Sequence, residues 1–279
     1  IYVAGDFTSV NGTTRNHLAA INASTGALVT GFNPNVNARV NNIAVSGSTI
    51  YLVGAFTAVS NQGRNRMAAV NATNGALLPW APTADQEVMA VVAPNGPVVV
   101  GGHFTLLNGT DALGLGGLDP ITGAVVPYPA NQVIQNWGPD AAINSLSTNG
   151  SQVFGTGYGY LVNGGVGTTT DGNLEATFSA DAATGNFQWA DGCLGDHYDS
   201  VPIGDVLYNV SHSHNCSAMG GHPQTDPWTY QRAQAETIYA DPSGAVNVGT
   251  KLDRLARPQL LHWLPALAVG SYTGQGQAA

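Results

Sequence analysis

The sequence predicts an all-β fold, a β-propeller of four-stranded blades, and three observations carry that prediction. First, a decamer recurs without gaps, as IYVAGDFTSV at Ile1, IYLVGAFTAV at Ile50, VVVGGHFTLL at Val98, VFGTGYGYLV at Val153 and LYNVSHSHNC at Leu207. The spacings are 49, 48, 55 and 54 residues, a period that fits one supersecondary unit per repeat. Second, each decamer is trailed by an Asn or Asp and then a Gly: Asn22 to Gly26, Asn71 to Gly75, Asp119 to Gly123, Asp181 to Gly185 and Asp241 to Gly244. Third, each unit holds four short apolar runs, such as NNIAVS, IYLVGAF, RMAAVN and ALLPW.

Each element has a local reason. The decamers combine β-branched and aromatic residues at strand length. The Asn or Asp side chain accepts hydrogen bonds from its own turn, and Gly supplies positive φ, so this pair closes a hairpin. The apolar pattern lacks a 3.6-residue period, which excludes helical repeats. Four strands in about 50 residues make a propeller blade, and closed propellers carry four to eight blades. Ile1 falls on the second strand of a blade, and LPALAVGSYTGQGQAA breaks off where another begins. The expectation is one propeller domain over 1–279, truncated at both ends, with blade starts near 38, 85, 140 and 198. About five blades are visible, of six or seven in full. KLDRLARPQLLHWLPALAVG, from Lys251 to Gly270, is the one stretch with short helical character, limited by Pro258 and Pro265.

Composition narrows the function. Only 9% of residues are charged, and the net charge is -9. A surface kept soluble by Asn, Thr, Ser and Gln is more usual outside cells. The negative balance argues against nucleic acid, whose affinity rests on cations neutralising phosphate. No apolar run is long enough to span a membrane.

The stretch IYVAGDFTSVNGTTRNHLAAINASTGALVTGFNP resembles the delta-60 repeat family of bacterial β-propellers. The likeness lies in Gly5, Phe7, Thr8, Asn11, Gly12, Arg15, Asn16, Leu18, Ala19, Phe32, Asn33 and Pro34, and again in Gly54, Phe56, Thr57, Arg64 and Asn65. It covers residues 1–129 and then decays. The resemblance implies secreted or surface-anchored proteins of actinobacterial type, joined to other modules of a longer polypeptide, with no assigned enzymatic activity. SADAATGNFQW, at Ser179, is more weakly similar to quinoprotein-type propeller repeats. Those enzymes use adjacent cysteines, whereas Cys193 and Cys216 are far apart in sequence, so no quinone is implied.

The fourth and fifth units depart from the pattern and gain His, Tyr, Asp and Cys. In an extracellular chain Cys193 and Cys216 are expected to form a disulfide. His197, His212, His214, Asp196 and Asp199 are candidate ligands for a divalent metal, or else structural groups around the disulfide. His222 lies in the same stretch. The column after the strand Gly reads Asp6, Ala55, His103, Tyr158 and His212. Its polar members either line a central channel or pack between blades.

Neither a Gly-x-Ser-x-Gly elbow nor a His-Glu-x-x-His motif is present. The expected function is therefore a non-catalytic binding or scaffold module, extracellular or at the cell surface, without a required cofactor. Its expected partners are other modules of the same polypeptide, and a glycan or surface protein. The competing readings are a metal-dependent polysaccharide lyase or hydrolase centred on the histidines, and a structural subunit of a surface layer or filament.

Overall fold

The computed structural model of the chain describes residues 1–138, 141–159, 174–224, 232–248 and 252–264. Its described strands form successive antiparallel sheets, and in the first three a short two-stranded hairpin is set apart between the second and third blade strands. In the first blade Tyr2–Ala4 pairs with Leu18–Ala20, and an Ile21–Leu28 bridge extends the pair. The second joins Val40–Ser46, Thr49–Gly54 and Met67–Asn71, with a Val70–Leu77 bridge in place of a fourth strand. The third comprises Val88–Val92, Val98–Gly102, Leu115–Leu118 and Val125–Val126. The fourth comprises Ala141–Thr148, Gln152–Gly159, Ala176–Asp181 and Phe187–Ala190. The fifth comprises His197–Ile203, Val206–Ser211, Arg232–Ala240 and Pro258–Leu264. The all-β propeller class read from the sequence is the observed one.

The repeated turn is built as its residues demand. Oδ1 of Asn22 accepts from the backbone N–H groups of Ser24 and Thr25, and Asp119 and Asp181 accept in the same way. The closing Gly26, Gly75, Gly123, Gly185 and Gly244 all hold φ between 70° and 75°, which costs a residue without Cβ nothing. Hydrogen bonds from Thr122, Thr184 and Ser243 keep the carboxyls of Asp119, Asp181 and Asp241 below the usual range.

Asn-Gly pairs close two small hairpins between the second and third strands. One joins Ser9–Val10 to Thr13–Thr14, the other Leu106–Leu107 to Thr110–Asp111. Both turn residues have positive φ in each, as Asn11–Gly12 and Asn108–Gly109. The Arg of the Arg-Asn pair then ties the outer segment down. Arg15 donates to the Thr14 and Thr30 carbonyls, and Arg64 to those of Gly63 and Leu78.

The core is a series of seams between blades. Tyr2, Phe32, Ile50, Leu52 and Phe56 fill the first seam. Tyr51, Val53, Trp80, Val98, Val100 and Phe104 fill the second, and Val99, Leu115, Ile143, Val153 and Phe178 the third. Residues alternate along each second strand, so positions one and three of the decamer point back and position two points forward. Tyr2 and Tyr51, at position two, each donate a hydroxyl hydrogen bond to the next blade's turn, at Ala72 O (2.7 Å) and Pro120 O (2.9 Å).

The fourth seam differs. Its apolar cluster reduces to Phe154, Trp189, Leu207 and Ile238, with Ala256 beside it. A disulfide between Cys193 and Cys216 stands next to this seam, packed with Met219 and Leu260. Gln234 Nε2 donates to both sulfurs at 2.9 Å.

The stretch with expected helical character forms a strand over Pro258–Leu264. The open edge of Arg232–Ala240 supplies a ladder for it, and tertiary pairing overrides a weak local preference. Its flanks, at 251 and beyond 264, lie outside the described residues.

Candidate axial binding site

One cavity of about 490 Å³ is lined by residues of four consecutive blades. Ala4 and Gly5 come from the first, Arg39, Val40, Asn41 and Asn42 from the second, Glu87, Met89 and His103 from the third, and Asn144 and Tyr158 from the fourth. Successive blades of a radial array come closest together near its axis, and the cavity is assigned to that side on this ground.

A repeated backbone irregularity aims these side chains. The register of each first strand shifts at the same place, between Val40 and Asn42, Val88 and Ala90, Ile143 and Ser145, and His197 and Asp199. Such a bulge inserts one residue and re-aims it. The inserted residues are Asn41, Met89, Asn144 and Tyr198, and the first three line the cavity.

Inside the cavity, Arg39 Nη2 donates to Glu87 Oε1 at 2.7 Å, across the second seam. Asn41 Nδ2 donates to the same oxygen at 2.8 Å and to Val88 O at 2.9 Å. Burial opposes ionisation of Glu87, but the hydrogen bonds from Asn41 and Arg39 outweigh it and hold its carboxyl below the usual range. His103 Nδ1 lies 2.8 Å from Gly138 O and 3.1 Å from Ala141 O. Carbonyls only accept, so Nδ1 carries a proton, and Nε2 lies 3.5 Å from the Tyr158 hydroxyl. The walls thus present a guanidinium paired with a carboxylate, side-chain amides, an imidazole and a phenol.

The column expected to line a channel is divided. His103 and Tyr158 face the cavity. Asp6 is exposed and lies 3.6 Å from His17, and Ala55 is exposed. His212 Nδ1 lies 3.3 Å from Asp196 and 3.0 Å from the Tyr198 hydroxyl. Sequence reasoning missed Arg39, Asn41, Glu87 and Asn144. A signal exists: Arg39 and Glu87 each stand eleven residues ahead of their decamer, and Asn41, Met89 and Asn144 nine ahead.

The five candidate metal ligands do not form one group: His212, His214 and Asp196 lie together, whereas Asp199 and His197 have other partners. His212 stacks on His214 at 6.4 Å beside Asp196, whose carboxyl is pushed up by burial against the opposing pull of His212 and His214. His214 Nδ1 lies 3.1 Å from Gln224 Oε1. Asp199 accepts from Ser145 across the seam at 2.5 Å. His197 is fully buried, 2.8 Å from the Thr177 hydroxyl and 3.5 Å from Asp191. Among the described residues, no three His, Cys, Asp or Glu side chains are grouped to hold a metal ion.

Around His197 the fourth seam buries charge-bearing groups. Asp191 and Glu236 are both fully buried. Burial pushes the Asp191 carboxyl up to about 7, and burial with the Asp191 charge pushes Glu236 well above its usual range. Burial drives His197 down to about 3. Neither Glu236 oxygen, nor the buried Asn209 amide, nor His197 Nε2 makes a hydrogen bond of ordinary geometry.

Among the described residues no helix is long and apolar enough to cross a membrane. No curated protein matches the chain. Among solved structures it is similar to BamB from Moraxella catarrhalis, at 14% identity and TM-score 0.47, over 88% of this chain and 66% of that one. It is also similar to the Pan2 WD40 domain of Neurospora crassa, at 12% identity and TM-score 0.49, over 88% and 68%. The computationally designed Ika8 protein matches at 11% identity and TM-score 0.43, over 90% and 69%. Residues 1–28 match the family described as a domain of unknown function (DUF5122) beta-propeller. With blades repeating along the chain, this is a β-propeller module whose opening residues match that propeller-repeat family.

Proposed function

We propose that this chain is an extracellular binding module of a secreted or cell-surface bacterial protein, and that it holds a glycan in the axial cavity without chemical turnover. The observation that carries the reading is the convergence of Arg39, Asn41, Asn144, His103 and Tyr158 on one space shared by four blades. Mixed donors and acceptors with an aromatic wall match a saccharide, which presents hydroxyls on its edges and C–H groups on its faces. The cavity size falls in the range usual for small-ligand sites. The Cys193–Cys216 disulfide supports an oxidising compartment.

A panel of neutral and acidic oligosaccharides, read by thermal shift and then calorimetry, tests this. The expected result is saturable stabilisation by one saccharide class, with the saccharide recovered unchanged. Absence of binding across the panel, or its cleavage, contradicts the proposal.

A further inference from the structure

The axial cavity carries its charge as one closed pair. Of its lining side chains, Arg39 is the permanent cation and Glu87 the carboxylate. Arg39 Nη2 and Glu87 Oε1 stand 2.7 Å apart, and among the described residues Glu87 is the one acid within ion-pair reach of Arg39. Asn41 Nδ2 donates to the same oxygen at 2.8 Å. Burial opposes ionisation of Glu87, yet the hydrogen bonds from Asn41 and Arg39 hold its carboxyl below the usual range, so it is charged at neutral pH. An unpaired guanidinium grips a ligand carboxylate through two parallel hydrogen bonds. Here the guanidinium already faces a fixed carboxylate of the chain.

The repeat frame supplies no further cation. Arg39 and Glu87 each stand eleven residues ahead of their decamer, and Ala142 and Asp196 hold the same place in the fourth and fifth blades. The backbone keeps that equivalence. The N–H groups of Ala55, His103 and His212 donate to the carbonyls of Arg39, Glu87 and Asp196 at 3.0, 3.0 and 2.9 Å, and Tyr158 pairs with Ala142. This column therefore sets one guanidinium against two carboxyl groups. Asp6, next to the lining residue Gly5, has a side chain 76% exposed. An acidic ligand in the cavity would have to draw Arg39 from Glu87 and leave that carboxylate unpaired beside its own. Like charges forced together reject a partner strongly. An uncharged ligand meets Asn41, Asn144, His103 and Tyr158 with the pair intact.

Resting on the glycan reading of this cavity, we infer that Glu87 sets its selectivity, so that uncharged saccharides bind and acidic ones are rejected. Glu87 neutralises Arg39 and leaves it a hydrogen-bond donor to hydroxyls rather than an anion clamp. Glu87→Gln isolates the charge. The Gln carbonyl can still accept from Asn41 and Arg39, while the guanidinium loses its counter-charge.

Calorimetric titration with matched oligosaccharides, each neutral chain beside the same chain oxidised to a uronate at one C6 position, tests this. The wild-type chain is expected to bind the neutral member about tenfold or more tightly than the acidic one. Glu87→Gln is expected to raise affinity for the acidic member about tenfold or more and to move the neutral one by about threefold at most. Glu87→Asp, which keeps the charge, is expected to keep the preference. A wild-type chain that binds both members alike, or the acidic one more tightly, overturns the inference and leaves the glycan site standing. A Glu87→Gln variant with the wild-type ratio removes Glu87 from the role. A wild-type chain that binds neither member of any pair contradicts the glycan site and the selectivity with it. Native-like circular dichroism of the variants separates lost charge from lost folding, and the wild-type comparison holds without them.

Discussion

Raising the pH from about 5 to about 8 is expected to lower the unfolding free energy by about 2–3 kcal/mol, and Glu236→Gln is expected to remove much of that loss. The cause is the buried acid pair of the fourth seam. Asp191 titrates near 7 in the folded chain against an ordinary 3.8, and Glu236 is also raised, both chiefly by burial. An acid with a raised folded pKa contributes stability that is complete below its unfolded pKa and lost as pH rises through the folded one. His197 opposes this, since its folded pKa of about 3 lies below the ordinary 6.5. Folding therefore gains from His197 as pH rises to about 6.5, and nothing beyond. Two acids outweigh one imidazole below that point, and above it the acids act alone. Urea unfolding at four pH values gives the slope. A stability that is flat or rises over this range, or a Glu236→Gln variant that keeps the full slope, contradicts the account.

Removing the disulfide by Cys193→Ala with Cys216→Ala is expected to cost about 3 kcal/mol, the loop-closure value for a separation of 23 residues. The fifth blade is expected to open first. Among the described residues, the first three seams bury large apolar clusters, whereas the fourth has the small cluster of Phe154, Trp189, Leu207 and Ile238 and several buried polar atoms without a hydrogen bond of ordinary geometry. An unsatisfied buried polar group costs about 1–3 kcal/mol. Hydrogen exchange in the double variant should show amides of Val206–Ser211 exchanging before those of Thr49–Gly54 and Val98–Gly102. Equal exchange in all three strands would show that the fourth seam is no weaker than the rest.

The parts of this fold that are legible in the sequence are those set by local chemistry. Asn22 with Gly26 must turn whatever surrounds them, and the recurrence of that pair exposes the period. Alternation in IYLVGAF separates Tyr51 from Ile50 and Leu52, so the sides of a blade can be read. The cavity is less legible because its residues break alternation. Asn41 reaches the axis only because a bulge inserts it, and a bulge leaves no fixed residue signature. His103 and Tyr158 appear in a column that also holds Asp6 and Ala55, which the structure turns to solvent. The local preference of residues 258–264 is also misleading, since the edge of a neighbouring strand decides their conformation. The concentration of His and Asp in the fifth unit draws attention to His197, yet burial beside Asp191 makes that side chain part of a seam.

The proposed function requires that ligand bind in the axial cavity and not among the histidines of the fifth blade. Two double variants separate these directly when titrated with the saccharide that stabilises the wild-type chain. Arg39→Ala with Asn41→Ala is expected to weaken binding about tenfold or more, each lost polar contact costing on the order of 1 kcal/mol, while His212→Ala with His214→Ala leaves affinity unchanged. Loss of binding in the histidine variant, with full affinity in the cavity variant, would contradict it.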